Sequence, residues 1–426
     1  MIEDIYEKFL ECGELSTDTR HITEGCFFVA LKGERFNANE FAAHALEKGA
    51  RYALIDEAAY QQDKRFILVE NCLQSLQALA RHHRRHMDIP VLGINGTNGK
   101  TTTKELLSLV LGQKYFVLAT KGNLNNHIGV PLTLLGLKPE HELAIIELGA
   151  NAVGEIDALC KIAEPSHGLT TNIGKAHMEG FGGLEGAIRG ESEQYHYLIQ
   201  TDGEVFINSQ DVILQNMAKR FENPIFYPAP GDFFHAEMLS ADPYIRYRHE
   251  NGQEVQTRLI GAYNFPNIAA ALCIGQYFKI SPEQANHAVS NYKPTNKRSQ
   301  LIEREGKTII MDAYNANPDS MQAAIRSLEV MQARRKVAIL GDMYELGKDS
   351  PAEHRAVGTL LSQCSIDEVL LCGELMEVAQ ESYPEALYFK TKAELESYLD
   401  KNRFDDATIL LKASRGIALE TILDLL

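Results

Sequence analysis

Gly93-Ile94-Asn95-Gly96-Thr97-Asn98-Gly99-Lys100-Thr101-Thr102 follows the apolar run Pro90-Val-Leu-Gly-Ile94 and leads into Thr102-Thr-Lys-Glu-Leu-Leu-Ser-Leu-Val-Leu-Gly112. A tight glycine turn between a strand and a helix exposes successive backbone N–H groups at a helix N-terminus, where partial positive charge attracts phosphate. In such a loop Gly96, Thr97, Asn98 and Gly99 supply amides and Thr102 continues into the helix. Lys100 reaches the β- and γ-phosphates, and the Thr101 hydroxyl is a ligand for Mg²⁺. Five residues separate Gly93 from Gly99, where the common pattern has four. The loop marks a nucleotide site. It does not name a reaction, because kinases, ATPases, GTPases and ligases all use one.

Working outward, short apolar strands alternate with helix-length segments. Residues 87–296 carry PVLGI, YFVLAT, ELAIIEL, HGLTTNI and EVFIN, rich in Val, Ile, Leu and Thr. That alternation predicts βαβ units and a parallel sheet. It restarts in residues 297–426 with KTIIMDA, KVAILGD, EVLLCG and ATILLKA. Residues 1–86 form a first unit with strands RYALI and RFILV. Its last helix carries Leu73, Leu76 and Leu79 on one stripe and ends in RHHRRH, which reads as a solvated terminal turn suited to the helix dipole.

A chain of 426 residues is too long for one core, which fits these three units. The net charge of −16 disfavours non-specific nucleic-acid binding, which needs a basic face. No apolar run approaches the ~20 residues that span a membrane, and the acidic, amphipathic start does not read as a secretory signal. The expectation is a cytoplasmic, monomeric protein. The seven cysteines (Cys12, Cys26, Cys72, Cys160, Cys273, Cys364, Cys372) stand at wide spacings with no Cys-x-x-Cys, as thiols in a reducing compartment do.

Two further places carry chemistry. Ile145-Ile146-Glu147-Leu148-Gly149 puts a carboxylate at the end of a buried-type strand, where open α/β sheets collect ligands and where a hard Mg²⁺ finds oxygen. Asn123-Leu-Asn125-Asn126-His127-Ile-Gly129-Val-Pro131 puts three amides into four residues, a pattern that turn chemistry alone could also produce.

The form G-x-x-G-T-x-G-K-T-T resembles the loop of the Mur ligases and folylpolyglutamate synthases. These enzymes phosphorylate a carboxylate with ATP and let an amine attack the acyl phosphate. The likeness extends over nearly the whole chain. Gly174-Lys-Ala-His177-Met-Glu-Gly-Phe-Gly182 is similar to the stretch whose histidine serves a second metal, and Asn125 and Asn126 fall in the loop that closes on phosphate and acyl substrate. Asn264 and Asn267, in Tyr263-Asn-Phe-Pro-Asn267, match a helix start beside adenine. Arg298 matches an arginine on the γ-phosphate. Asp312 and Asn317, in Asp312-Ala-Tyr-Asn-Ala-Asn-Pro-Asp-Ser-Met321, match the nucleotide side of the last unit, with Asp312 on the ribose. Asp18, Thr19 and Arg20 look like the family's uridine-nucleotide start.

Three stretches point to the branch that adds D-alanyl-D-alanine to UDP-N-acetylmuramoyl-tripeptide: residues 312–321, Gly341-Asp342-Met-Tyr-Glu345-Leu-Gly347 with His354, and Lys412-Ala-Ser414-Arg415-Gly416. After a buried-type strand, Lys412 and Arg415 are placed to hold a carboxylate by charge-assisted hydrogen bonds, with Ser414 between them at the substrate site, and Asp342 or Glu345 to hold the ammonium of an incoming dipeptide. The implied architecture is α/β: a small N-terminal domain, a central phosphate-loop domain with a mostly parallel sheet, and a Rossmann-like C-terminal domain that closes on it. Lys100, Glu147, His177, Arg298 and Glu191 are the expected catalytic set.

The sequence also departs from the family. Where a carbamylated lysine bridges the second metal, this chain has Glu191, a shorter carboxylate expected to replace it as a ligand. Asn37-Ala-Asn-Glu-Phe41 stands for D-G-H-D-F, Ala413 for Gly and Asn95 for Thr. Two rivals to the D-alanyl-D-alanine reading remain. One is a ligase of the same family acting on another amine or on folate; the other is a nucleotide-binding regulator without ligation.

Overall fold

A computed structural model describes residues 2–426. The N-terminal unit is a four-stranded parallel sheet in the order Leu15–Ser16, Phe27–Val29, Tyr52–Ile55, Phe66–Leu68. The helices Ile2–Leu10 and Cys72–His86 pack together beside it. Leu76 and Leu79 of the expected stripe are fully buried, and Leu73 packs at the margin of the same core.

The Arg81–His86 cluster is only in part the solvated turn the sequence suggests: Arg81, Arg85 and His86 are exposed, while His83 is buried and Arg84 half-buried. The buried His83 ring receives the Tyr6 hydroxyl at Nδ1 (3.1 Å), and its Nε2–H meets the carbonyl of Leu137 (2.9 Å). Arg84 donates to the carbonyls of Ala163 and Glu164, and Arg85 pairs with the Glu164 carboxylate. The cluster therefore docks the first unit onto the second. Periodicity could not show this, because the partners lie more than 50 residues away.

The central sheet is six-stranded and parallel, ordered Ile225–Tyr227, Glu204–Asn208, His167–Thr170, Val91–Asn95, Leu143–Glu147, Val117–Ala119. Buried on both faces, its strands carry continuous apolar runs instead of alternation. After Val91–Asn95 the chain visits one side of the sheet, then crosses to the other at His167–Thr170, so the strand ends of this trio frame a crevice at the switch point. A three-stranded antiparallel sheet, Ala236–Ala241, Tyr244–His249 and Glu254–Ile260, escaped the sequence reading. Its inner face (Ile245, Tyr247, Val255, Leu259) covers the core around helix Phe265–Tyr277.

The C-terminal sheet runs Gln300–Arg304, Lys307–Met311, Ala407–Lys412, Arg335–Gly341, Glu368–Cys372, Leu387–Phe389. The edge strand Gln300–Arg304 is antiparallel and the rest are parallel. Gln300–Arg304 and Leu387–Phe389 were also missed; both are edge strands, and neither has a fully buried residue. All seven cysteines are free, and among the described residues no helix is long and apolar enough to cross a membrane.

His167 opens a central strand and lies among Phe206, Tyr277 and Phe278. Burial pushes its pKa down to about 4. The unfolded chain, with an ordinary imidazole near 6.5, then binds a proton that the folded chain refuses. Stability is therefore level above about pH 6.5 and falls between pH 6.5 and 4, by roughly 1–3 kcal/mol from this residue. Urea titrations across that range should show the slope, and His167→Gln should lessen it, since His83, His249 and His354, whose pKa values burial also lowers, act in the same direction.

Candidate active site

The phosphate loop leaves the end of strand Val91–Asn95 and enters helix Lys100–Leu111. Gly96 (φ +118°) and Gly99 (φ +85°) occupy left-handed backbone, and a Cβ at either would collide with Thr171 or Asn267. The neighbouring strand end braces the turn: Thr97 N–H donates to the carbonyl of Asn172 (2.9 Å), and Asn98 N–H to the Asn172 side chain (3.0 Å). The Thr171 hydroxyl and the Asn172 amide both reach the carbonyl of Asn98. Lys100 Nζ donates to the carbonyls of Gly96 and Thr97, folded back over the loop.

On the other side, Glu147 ends its strand only 2% exposed. Its carboxylate accepts from the Thr101 hydroxyl (3.1 Å) and from the Asn125 amide (2.9 Å), and Lys104 Nζ lies 3.5 Å away. Lys104 escaped the sequence reading. The available signal was a cation three residues after Thr101, and the structure buries that whole turn, Thr101 to Lys104. A hydroxyl and a carboxylate side by side are the hard oxygen donors that Mg²⁺ takes while keeping phosphate and water in its shell. Thr101 and Glu147 therefore fit such an ion.

The cleft in front of the loop is about 590 Å³. Thr97, Asn98, Gly99, Lys100, Thr101, Thr102, Asn125, Asn126, Glu147, His177, Asn264, Asn267, Arg298, Asp312, Asn317, Glu345 and Lys412 line it. The far wall comes from the C-terminal unit, which reaches across by several bonds. Asn317, capping helix Pro318–Val330, donates to the Asn98 side chain at 2.8 Å. Lys175 donates its backbone N–H to Asp319 (2.7 Å) and its ammonium to Glu353 (2.5 Å). His177 Nδ1 meets Glu345 at 2.6 Å. Burial lowers the pKa of His177, and Glu345 opposes that shift. The Arg298 guanidinium lies over the Tyr314 ring, 3.9 Å from its centroid. Tyr344, Asp319 and Asn172 also line the cleft without having been singled out.

Several expected ligands are committed elsewhere. Asp342 does not face the cleft: its Oδ1 accepts from Leu375 and Met376 N–H, capping the turn into helix Glu377–Ser382, and burial raises its pKa to about 6. Lys412 lines the cleft but is not a free carboxylate clamp, because its ammonium donates to Asp312 (2.7 Å) and to the carbonyl of Asn315. Ser414 stitches loops together, donating to the carbonyl of Ala316 and accepting from Tyr344 N–H. Arg415 is exposed, 5.0 Å from the Tyr314 centroid. His354 accepts from Met343 N–H within the fold. Asp18 and Arg20 pair with each other in the first unit and Thr19 lies between them, all three outside the cleft wall.

Glu191 was expected on a second metal with His177. The structure buries it behind the loop instead, its carboxylate turned to the backbone of Gly96, and His177 is paired with Glu345. Among the described residues no three His, Cys, Asp or Glu side chains gather to hold a metal. The residues present do not fit a second ion.

Strand, positive-φ glycine turn, helix N-terminus and strand-end carboxylate place the central unit in the phosphate-loop class of nucleotide-binding folds. Residues 94–275 match the model of the Mur ligase middle domain, and residues 297–415 that of the Mur ligase glutamate ligase domain. The UDP-N-acetylmuramoyl-tripeptide–D-alanyl-D-alanine ligase of Bacillus subtilis is 35% identical over 419 residues, 96% of this chain and 92% of that one. The Escherichia coli enzyme of the same name is 34% identical with the same coverage. A crystal structure of MurF from Acinetobacter baumannii superposes with a TM-score of 0.90 at 29% identity, covering 100% of this chain and 98% of that one. A MurF ligase from Thermotoga maritima, solved in complex with ADP, gives 0.87 at 27%, covering 98% and 97%. The chain belongs to the Mur ligase family.

Lys104 is the buried cation beside Glu147, so Lys104→Met should strand a buried carboxylate and cost about 3–5 kcal/mol in urea unfolding. Adding Glu147→Gln should recover much of that loss, because the double variant buries no unpaired charge. Additive losses would show that the pair is not coupled.

Proposed function

We propose that this chain joins D-alanyl-D-alanine to the peptide carboxylate of UDP-N-acetylmuramoyl-tripeptide with cleavage of ATP, in the assembly of peptidoglycan precursor. The observation that carries the reading is one cleft with two walls. A phosphate loop and the Thr101–Glu147 pair face residues of a second unit across it. An amide ligase needs this juxtaposition, since activation and aminolysis must occur at one carbon. Relatives bearing the name of this activity match this chain in sequence over nearly their full length, which supports the reading.

The amides of Gly99 to Thr102 at the helix N-terminus are expected to hold the polyphosphate; those of Gly96, Thr97 and Asn98, which the sequence put to the same use, are spent on Glu191 and Asn172. Asn264, Asn267, Asp312 and Asn317 stand around the nucleoside. Mg²⁺, held by Thr101 and Glu147, would neutralise charge on the β- and γ-phosphates. Lys100 exchanges the Gly96 and Thr97 carbonyls for phosphate oxygens. Arg298 packs its flat face against Tyr314, which leaves its N–H edge for the transferred phosphoryl group. The carboxylate oxygen attacks the γ-phosphorus, the bond to ADP breaks, and an acyl phosphate forms. The dipeptide ammonium gives up one proton to solvent before the site closes, and the neutral amine attacks the acyl carbon; the tetrahedral intermediate breaks its bond to phosphate, which leaves and carries off the second amine proton. Both attacks require reactants within about 3–3.5 Å and water excluded, as a cleft shared by two units permits. Glu345, exposed on the rim and paired with His177, would take the incoming ammonium by exchanging that partner.

ADP release by the purified chain with UDP-N-acetylmuramoyl-tripeptide is expected with D-alanyl-D-alanine and not with single amino acids. Turnover with a different amine would move the chain to another activity of the family. Amine-independent nucleotide binding without turnover would make it a regulator. Lys100→Ala and Glu147→Ala should each lower kcat by at least about 100-fold, the scale of a lost transition-state contact. Added bicarbonate should leave the rate unchanged, since residue 191 has no amine to carbamylate; strong rescue would contradict the reading of that position.

A further inference from the structure

Behind the phosphate loop lies a carboxylate that the reaction just described does not use. Glu191, at the end of helix Leu184–Glu191, is 3% exposed. Its Oε2 alone accepts both the Gly96 N–H (2.9 Å) and the Asn95 side-chain amide (2.8 Å). The same amide also donates to the backbone carbonyl of Glu191 (2.7 Å), while Asn95 Oδ1 accepts the Thr170 hydroxyl (2.7 Å). The point where strand turns into loop is thus bolted to a helix and to a neighbouring strand. Two charged side chains act on this carboxylate: Lys100 of the loop, which favours its ionised form, and Glu193, which opposes it. Burial is the larger influence and raises its pKa above the ordinary carboxylate range.

We propose that Glu191 is a positioning residue for the phosphate loop with two separable roles. Its Oε2 fixes the Asn95–Gly96 turn, and its negative charge, set behind Lys100, tempers the loop's hold on polyphosphate so that spent nucleotide leaves. This rests on residues 96–102 being the nucleotide site. The sign of the second role follows from Coulomb's law. A buried anion that shares the field of Lys100 repels a polyanion bound on the other side, and low-dielectric surroundings screen it weakly.

Because both hydrogen bonds land on one oxygen, Glu191→Gln keeps them on its amide oxygen and removes only the charge. Glu191→Ala removes both. ADP binding to the full chain with Mg²⁺ is measured by calorimetry from pH 5.5 to 8, with thermal unfolding of each variant alongside. The expected result at pH 8 is a Gln variant that melts near the wild type and binds ADP about three- to tenfold more tightly. That advantage shrinks as pH falls, because the wild-type carboxylate takes up a proton and comes to resemble the Gln variant. The Ala variant binds at least about tenfold more weakly, having lost the anchor of the turn. A Gln variant that binds no more tightly than wild type across the range overturns the charge role, and an Ala variant with wild-type affinity overturns the anchoring role. A wild-type chain that binds no ADP overturns the nucleotide site itself, which the variants' comparison keeps distinct.

Discussion

The structure depends on one constraint: a short loop must present consecutive backbone N–H groups at a helix start without a partner from within that helix. The first N–H groups of any helix lack intrahelical acceptors. Here Gly96 and Gly99 turn the chain through conformations that side chains would obstruct. The loop cannot hold that shape by itself. Thr171 and Asn172 clamp it from one side, and the Asn95–Glu191 bonds hold it from behind. The order of the central sheet makes this possible, since the loop's own strand lies between the strands that end in Glu147 and Thr170.

The other units are arranged around that loop by polar contacts as much as by apolar ones. Asn98–Asn317 and His177–Glu345 tie the C-terminal unit to the loop region, and Lys175–Glu353 adds a pair between longer side chains. Such contacts are specific in geometry but modest in energy, which suits an interface that admits substrates and lets products go. The N-terminal unit is attached differently, through the buried Tyr6–His83–Leu137 chain and Arg84. Burial and full hydrogen-bond satisfaction make that joint the firmer one.

The sequence exposed whatever depends on local pattern. Apolar runs located the inner parallel strands because those strands are buried on both faces, whereas the parallel edge strands Ile225–Tyr227 and Leu387–Phe389 went unread; the loop was readable because its glycines, lysine and threonines act within ten residues. Edge strands such as Leu387–Phe389 and the antiparallel sheet after Ala236 carry a weaker signal, half-buried and interrupted by polar residues. Residue roles that depend on distant partners were the least legible. Asp342 looked like a binding carboxylate until its cap on the Leu375–Met376 turn appeared, and Lys412 until its partner Asp312 did. Glu191 was rightly noticed as unusual, but its direction is set by Gly96 and Asn95, nearly a hundred residues earlier. Lys104 was passed over because a lysine on a helix is ordinarily solvated; only the packing of that turn against Glu147 gives it away.

The central claim is that the 96–102 turn and Glu147 together form a metal-assisted polyphosphate site. A crystal of the full chain grown with a non-hydrolysable ATP analogue and Mg²⁺ tests it most directly. Phosphate oxygens are expected on the amides of Gly99 to Thr102 and on Lys100, with a cation bonded to Thr101 Oγ1 and Glu147. A nucleotide bound elsewhere, or a Glu147 carboxylate still paired only with Thr101, Asn125 and Lys104 and no cation beside it, would contradict it.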